Sequence, residues 1–220
     1  MKNIIFIAPP AAGKGTQAKL LSNKYSIPHI STGELLREES NKTTELGRKI
    51  KEIISSGKFV NDEIITSLLK LRLMREDCNN GYILDGYPRN IEQAHIYEDL
   101  LKSINKDLGI VIFFDIDKDL AMERTLSRIA CPHCGTSYNL LVNELKPKLE
   151  GICDKCNSSL EIRSDDTPES FITRFDTYIN KTQSLIDYYK EKNVLREIKV
   201  EKDLSAQDIF SKVEEIVNND

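Results

Sequence analysis

The chain has 220 residues, enough for one large domain or a core carrying inserts. Its 40% hydrophobic and 30% charged content is that of a soluble globular protein, and no apolar run approaches the roughly 18 residues of a membrane span. A net charge of −4 gives no general electrostatic pull toward nucleic acid or an anionic membrane, so neither is expected as a partner.

Met1-Lys2-Asn3 enters an apolar strand directly, without a signal-peptide layout, and the expected location is the cytoplasm. That strand leads into Ala8-Pro9-Pro10-Ala11-Ala12-Gly13-Lys14-Gly15-Thr16 and then into helix-forming residues from Gln17 onward. A tight loop between strand and helix aims backbone N–H groups and a helix N-terminus at one spot, which suits a phosphate. Lys14 adds a mobile positive charge there. The phosphate-loop pattern G-x-x-x-x-G-K-[ST] is met in part: Ala8 stands at the first Gly, and Thr16 follows Lys14 one residue late.

Residues 27–30 form a short strand that ends in Ser31-Thr32-Gly33-Glu34, a helix start with Glu at capping-box distance. Residues 34–57 are polar, with sparse apolar positions, and predict small helices covering little core. Asn61-Asp62 starts a helix over 62–75 with one broad apolar face. Residues 81–85 are a buried strand with Asp85 at its end, and Gly86-Tyr87-Pro88-Arg89 turns the chain into a helix over 91–104. Residues 109–115 are the strongest strand. A helix over 118–128 is predicted to carry Arg124 and Arg128 one turn apart on one face. Thr167 caps a long helix with Pro168 at its first position, residues 194–200 are a last strand, and Ser205 caps a final helix. Strands alternating with helices imply a parallel sheet covered on both faces.

Between Ile129 and Ile162 the periodicity disappears and four cysteines occur. Cys131, Cys134, Cys153 and Cys156 follow C-x2-C-x18-C-x2-C, the spacing of two knuckles that close a tetrahedral Zn²⁺ site. Four thiolates leave no position for water, so the zinc is structural. Two disulfides, a redox-active cluster, or iron in the same geometry are the alternatives. Cys78 stands apart as an ordinary thiol. Arginines at element ends (Arg37, Arg89, Arg124, Arg128, Arg163 and Arg174) accompany no convincing general base. That combination suits transfer between phosphates, whose oxygens are already ionised near neutral pH.

The chain resembles the adenylate kinases of the long, zinc-containing lid type over essentially its whole length. The likeness rests on Pro10 to Gln17, Ser31-Thr32-Gly33-Glu34-Leu35-Leu36-Arg37, Asp85-Gly86-Tyr87-Pro88-Arg89 with Gln93, the four cysteines, and Arg163-Ser164-Asp165-Asp166 with Arg174. It implies an α/β P-loop NTPase-like three-layer fold: a five-stranded parallel sheet with helices on both faces. The implied core is 1–30, 61–126 and 166–220, with an NMP-binding insert at 31–60 and a zinc-binding lid at 127–165.

The implied reaction is ATP plus AMP giving two ADP with Mg²⁺, by a monomer. In this resemblance Ala11, Ala12, Gly13, Lys14, Gly15 and Thr16 wrap the ATP phosphates. Thr32, Arg37, the backbone of Lys58, Phe59 and Val60, then Gly86, Tyr87, Pro88, Arg89 and Gln93 hold AMP, with Gln93 on the adenine edge. Arg124, Arg128, Arg163 and Arg174 converge on the phosphates. Ser137, Tyr138 and Lys202 lie near ATP, Asp85 orients hydrated Mg²⁺, and Asp165 and Asp166 tie the lid closed. The chain departs from the family at Ala8 and Ala11, where Gly is usual, at Ile129, where an arginine is common, and at Lys202, which replaces a Gly. The rival readings are a kinase for UMP, CMP or GMP, a zinc-ribbon nucleic-acid module on a nucleotide-binding core, and a non-catalytic nucleotide sensor.

Overall fold

The computed structural model describes residues 2–55, 60–163 and 166–219. Lys58, Phe59 and Asp165 lie outside the described residues. β1 (Ile4–Ile7) is buried along its whole length and is the middle of a five-stranded, all-parallel sheet. Its neighbours are β3 (Ile83–Asp85) and β4 (Ile110–Ile116). β2 (His29–Ser31) continues the sheet beyond β3, and β8 (Leu195–Val200) continues it beyond β4.

Successive side chains of a strand point to opposite faces, so an uninterrupted apolar run supplies both layers at once. Ile4 and Phe6 enter one core with α1 (Lys14–Tyr25) and α8 (Ala206–Asn219). There Phe6 meets Phe114 edge-on at 5.1 Å. Ile5 and Ile7 enter a second core with α4 (Asp62–Leu73) and α5 (Ile91–Ser103). The long helix α7 (Pro168–Glu191) serves both: Phe171 and Phe175 pack in the first core, Leu185, Ile186 and Tyr189 in the second.

The helix starts are local chemistry. Ser31 caps α2 (Thr32–Ser40) by accepting from the Glu34 amide, and α3 (Glu45–Ser55) follows. Asn61 accepts from the Glu63 and Ile64 amides, and Thr167 accepts from the Ser170 amide. Ser205 and Asp208 form a reciprocal box at the start of α8.

One expectation fails. The helix after β4, α6, spans Lys118–Leu126 and does not reach Arg128. Ser127 turns its hydroxyl back onto the Glu123 carbonyl, and Arg128 opens a new strand, β5 (Arg128–Ala130). Backbone pairing with β6 (Ser137–Asn139) outcompetes one more helical turn, so Arg124 and Arg128 lie on different elements. With β7 (Glu161–Ile162) these strands make a small antiparallel sheet in the order β6-β5-β7. Two- and three-residue strands are too short to show a period in the sequence. Among the described residues no helix is long and apolar enough to cross a membrane.

Gly109 leads into β4 at φ +79°, and a Cβ there would lie 1.9 Å from the Asn3 carbonyl oxygen. That oxygen is the acceptor that ties β4 to β1 through the Ile110 amide. Gly109→Ala is expected to destabilise the protein by about 2–5 kcal/mol, overpacking and left-handed strain combined, as read from urea unfolding.

Candidate active site

In a parallel sheet every strand ends at the same edge, and here the loop after β1, Thr32 after β2, and Asp85 with Arg89 at and after β3 lie there. The loop after β1 carries two left-handed residues, Ala11 at φ 63° and Gly13 at φ 87°. Ala12 between them is buried, which pins the loop to the core. Gly13 is the N-cap of α1 and brings no side chain to cap it, and no acid lies in the first turn. The positive end of the helix is thereby left facing the loop, with Lys14 as its first residue and Gly15 and Thr16 next. Of the two alanine departures, only Ala11 occupies a backbone region that favours glycine; Ala8 is a buried residue at ordinary φ.

Lys14 Nζ lies 2.7 Å from Asp85 Oδ1, at the end of β3. His29 Nε2, at the start of β2, lies 3.2 Å from Asp85 Oδ2. Burial alone would raise the Asp85 carboxyl, but hydrogen bonding from His29 and the Lys14 charge outweigh it and hold the group down at about 2. A carboxylate fixed as an anion beside the phosphate loop keeps Lys14 aimed at the site.

Thr32 and Arg89 meet at one atom, the Gly86 carbonyl oxygen: Thr32 Oγ1 donates to it at 3.2 Å and Arg89 Nε at 2.8 Å. Gly86 has φ +82°, and a side chain there would press on Thr32 Oγ1. Tyr87 and Pro88 of this turn are buried, as is Val60. Gln93, 8% exposed, accepts the Arg89 backbone N–H through Oε1 at 2.8 Å and donates through Nε2 to Asp62 Oδ1 at 2.7 Å. Arg37 is exposed and folds its guanidinium back over Gly33.

Asp166 is the second acidic side chain that gathers basic partners. Its side chain has no solvent exposure, and its two oxygens take a bidentate pair from Arg128, with Nε at 2.7 Å. Arg174 Nη2 reaches the same carboxylate at 3.3 Å. Arg163 accepts the Asp166 amide with its carbonyl oxygen at 3.0 Å. Arg124 projects from α6 half-buried, and that burial lowers the pKa of its guanidinium. Lys202, exposed after β8, pairs with Glu123 at 2.9 Å.

The four cysteine sulfurs lie within 4.8 Å of one another, Cys131 to Cys156 at 3.4 Å and Cys134 to Cys153 at 3.5 Å. Four thiolates about 2.3 Å from a shared ion sit about 3.8 Å apart at the corners of a tetrahedron, so the donor set fits Zn²⁺. Tyr138 is committed to this cluster: its hydroxyl donates to Cys153 Sγ and accepts the Asp154 amide at 2.7 Å. Its phenol therefore packs inside the insert, whereas the neighbouring Ser137 is exposed. The insert also touches the core, where Glu144 accepts the first amide of α8, Ala206 N, at 3.3 Å. Gln17, just after the phosphate loop, donates to the carbonyl oxygen of the same Ala206 at 2.9 Å.

The family model described as adenylate kinase matches residues 6–194. The chain belongs to the adenylate kinase family. It is similar to an adenylate kinase of Fervidobacterium nodosum, 46% identical over 193 residues and 88% of each chain. One of Clostridium tetani is 45% identical over 193 residues, again 88% of each. One of Thermosipho africanus is 41% identical over 216 residues and 98% of each. For a member of the adenylate kinase family the sequence reading missed three contacts: His29 on Asp85, Asp62 on Gln93, and Glu144 on α8. A lone histidine in a short strand was the available signal for the first; the other two had none.

Two outcomes follow from these geometries. Ala11→Gly relieves the left-handed alanine and is expected to raise stability by up to about 1 kcal/mol in thermal unfolding, net of the entropy glycine adds to the unfolded chain. Stripping the metal with a strong chelator is expected to abolish near-UV signal from Tyr138 and lower the first melting transition, with far-UV helix content largely retained.

Proposed function

We infer that the chain catalyses reversible transfer of the terminal phosphoryl group of ATP to AMP, giving two ADP. The observation that carries this is membership of the adenylate kinase family across residues 6–194, with a phosphate loop and an acceptor-type turn on one sheet edge. An oxygen of the AMP phosphate attacks the γ-phosphorus, and the bond from that phosphorus to the β,γ-bridging oxygen breaks. The acceptor oxygen is already ionised, so no base is needed; positioning and positive charge do the catalysis.

In this reading Ala11, Ala12, Gly13, Lys14, Gly15 and Thr16 hold the ATP phosphates, and Lys14 leaves Asp85 to follow the transferred group. Asp85 would then accept hydrogen bonds from the water shell of the Mg²⁺ that accompanies ATP and neutralises part of its charge. AMP lies against Thr32, Arg37, the backbone of 58–60, the Gly86 to Arg89 turn and Gln93. Arg124, Arg128, Arg163 and Arg174 face the phosphates as they transfer. Ser137 and Lys202 border the ATP side, while Tyr138 supports it from within the zinc cluster.

Three segments act together: a core of 1–30, 61–126 and 166–220, an AMP-side insert at 31–60 and a zinc-bearing lid at 127–165. Closure of the inserts, with Asp165 and Asp166 tying the lid, excludes water that would otherwise take the phosphoryl group. Zinc holds the lid's shape and takes no part in the chemistry. We assign the activity to a cytoplasmic monomer without nucleic-acid or membrane partners.

The test is ADP formation from ATP with AMP, UMP, CMP and GMP in turn. Turnover with AMP far above the others is expected, and a preference for another monophosphate would overturn the assignment. Lys14→Met is expected to reduce kcat at least about 10³-fold without changing the circular dichroism spectrum.

A further inference from the structure

We propose that Asp62 is a positioning residue for base selection, locking the Gln93 carboxamide in the orientation that reads adenine and rejects a 6-oxopurine. The proposal rests on the assignment of Gln93 to the adenine edge.

A glutamine carboxamide has a donor end and an acceptor end of nearly the same size, and a half-turn about its last bond exchanges them. Adenine presents an acceptor at N1 and a donor at its 6-amino group. Hypoxanthine and guanine present the reverse, a donor at N1 and an acceptor at O6. A glutamine free to turn over would therefore match either kind of base. Discrimination requires something that fixes which end is which.

The structure supplies it. Gln93 Oε1 accepts from the Arg89 backbone N–H at 2.8 Å, and Nε2 donates to Asp62 Oδ1 at 2.7 Å. One partner is purely a donor and the other, a carboxylate, accepts. Turning the amide over would set its N–H groups against the Arg89 N–H and its oxygen against the carboxylate. Two hydrogen bonds would become two repulsions at a side chain only 8% exposed, where water offers little relief. Each end of the amide keeps one further hydrogen bond to offer a base: the second N–H for adenine N1 and the second lone pair for the 6-amino group.

Both partners are themselves held in place. Asp62 is the first residue of α4, capped by Asn61 and anchored by buried Leu69 and Leu73. The Arg89 amide is set by the turn in which its own side chain binds the Gly86 carbonyl. Of the two, Asp62 brings the charge, and a charge-assisted bond resists exchange with water better than a neutral one. Asp62 is assigned no contact with the nucleotide; it acts through Gln93.

The experiment compares kcat/KM for AMP and for IMP, which differs from AMP only along the N1 and C6 edge. In Asp62→Ala the AMP-to-IMP ratio is expected to fall about tenfold or more, with the loss for AMP carried by KM and the value for IMP unchanged or raised. Asp62→Asn keeps the shape but lets either end of its own amide face Gln93, so its ratio falls in the same direction in a protein of near wild-type melting temperature. A parallel loss with both nucleotides, or an unchanged ratio, overturns the proposal. Gln93→Ala separates the two layers of the argument. If that variant also keeps the wild-type ratio, Gln93 does not read the base and the underlying assignment fails. If it collapses the ratio while Asp62→Ala preserves it, only the role of Asp62 is refuted.

Discussion

Burial of β1 between β3 and β4 is the constraint on which the site depends. Because the strand is covered on both faces and paired on both edges, the loop that follows it has no freedom in where it starts. The same parallel register sets Phe6 beside Asp85, so the loop and the carboxylate that steers Lys14 come from one piece of backbone geometry. Residues separated by about 70 positions in sequence are thus delivered within hydrogen-bond reach without any dedicated connection.

The site also keeps basic side chains in fixed pairings. Asp85 faces Lys14 and His29, and Asp166 faces Arg128 and Arg174. A long cationic side chain loses much rotamer freedom when it binds a phosphate, and a carboxylate that already limits it removes part of that loss beforehand. The two acids differ in reach. Asp85 retains 13% side-chain exposure, room to meet a hydrated ion, whereas Asp166 has none and serves as an internal post.

The fold was legible in the sequence wherever its causes are local. The apolar run of β1, the caps at Ser31, Asn61, Thr167 and Ser205, and the paired Cys-x-x-Cys spacings each announce themselves within a few residues. Arg128 was misplaced because Ser127 and Arg128 suit a helix as well as a strand; what stops α6 is pairing with Asn139, which no local pattern records. The contacts that orient the site are likewise remote: His29 to Asp85 spans 56 positions, Asp62 to Gln93 31, and Glu144 to Ala206 62. Single residues of common type at such separations leave no spacing to read. The resemblance to a family supplied roles for the site residues, yet the second layer of side chains behind them became visible only in three dimensions.

The cysteine-bearing insert has an interior of its own, built from Cys131, Tyr138 and Cys153 with Ile129, Cys156 and Leu160 against them. Among the described residues its ties to its neighbours include Arg128 to Asp166, Asn139 to the Arg124 carbonyl, and Glu144 to the start of α8, all of them polar. Cohesion and attachment are therefore different in kind. In the proposed lid closure these polar contacts are the ones exchanged, while the insert's own interior stays assembled.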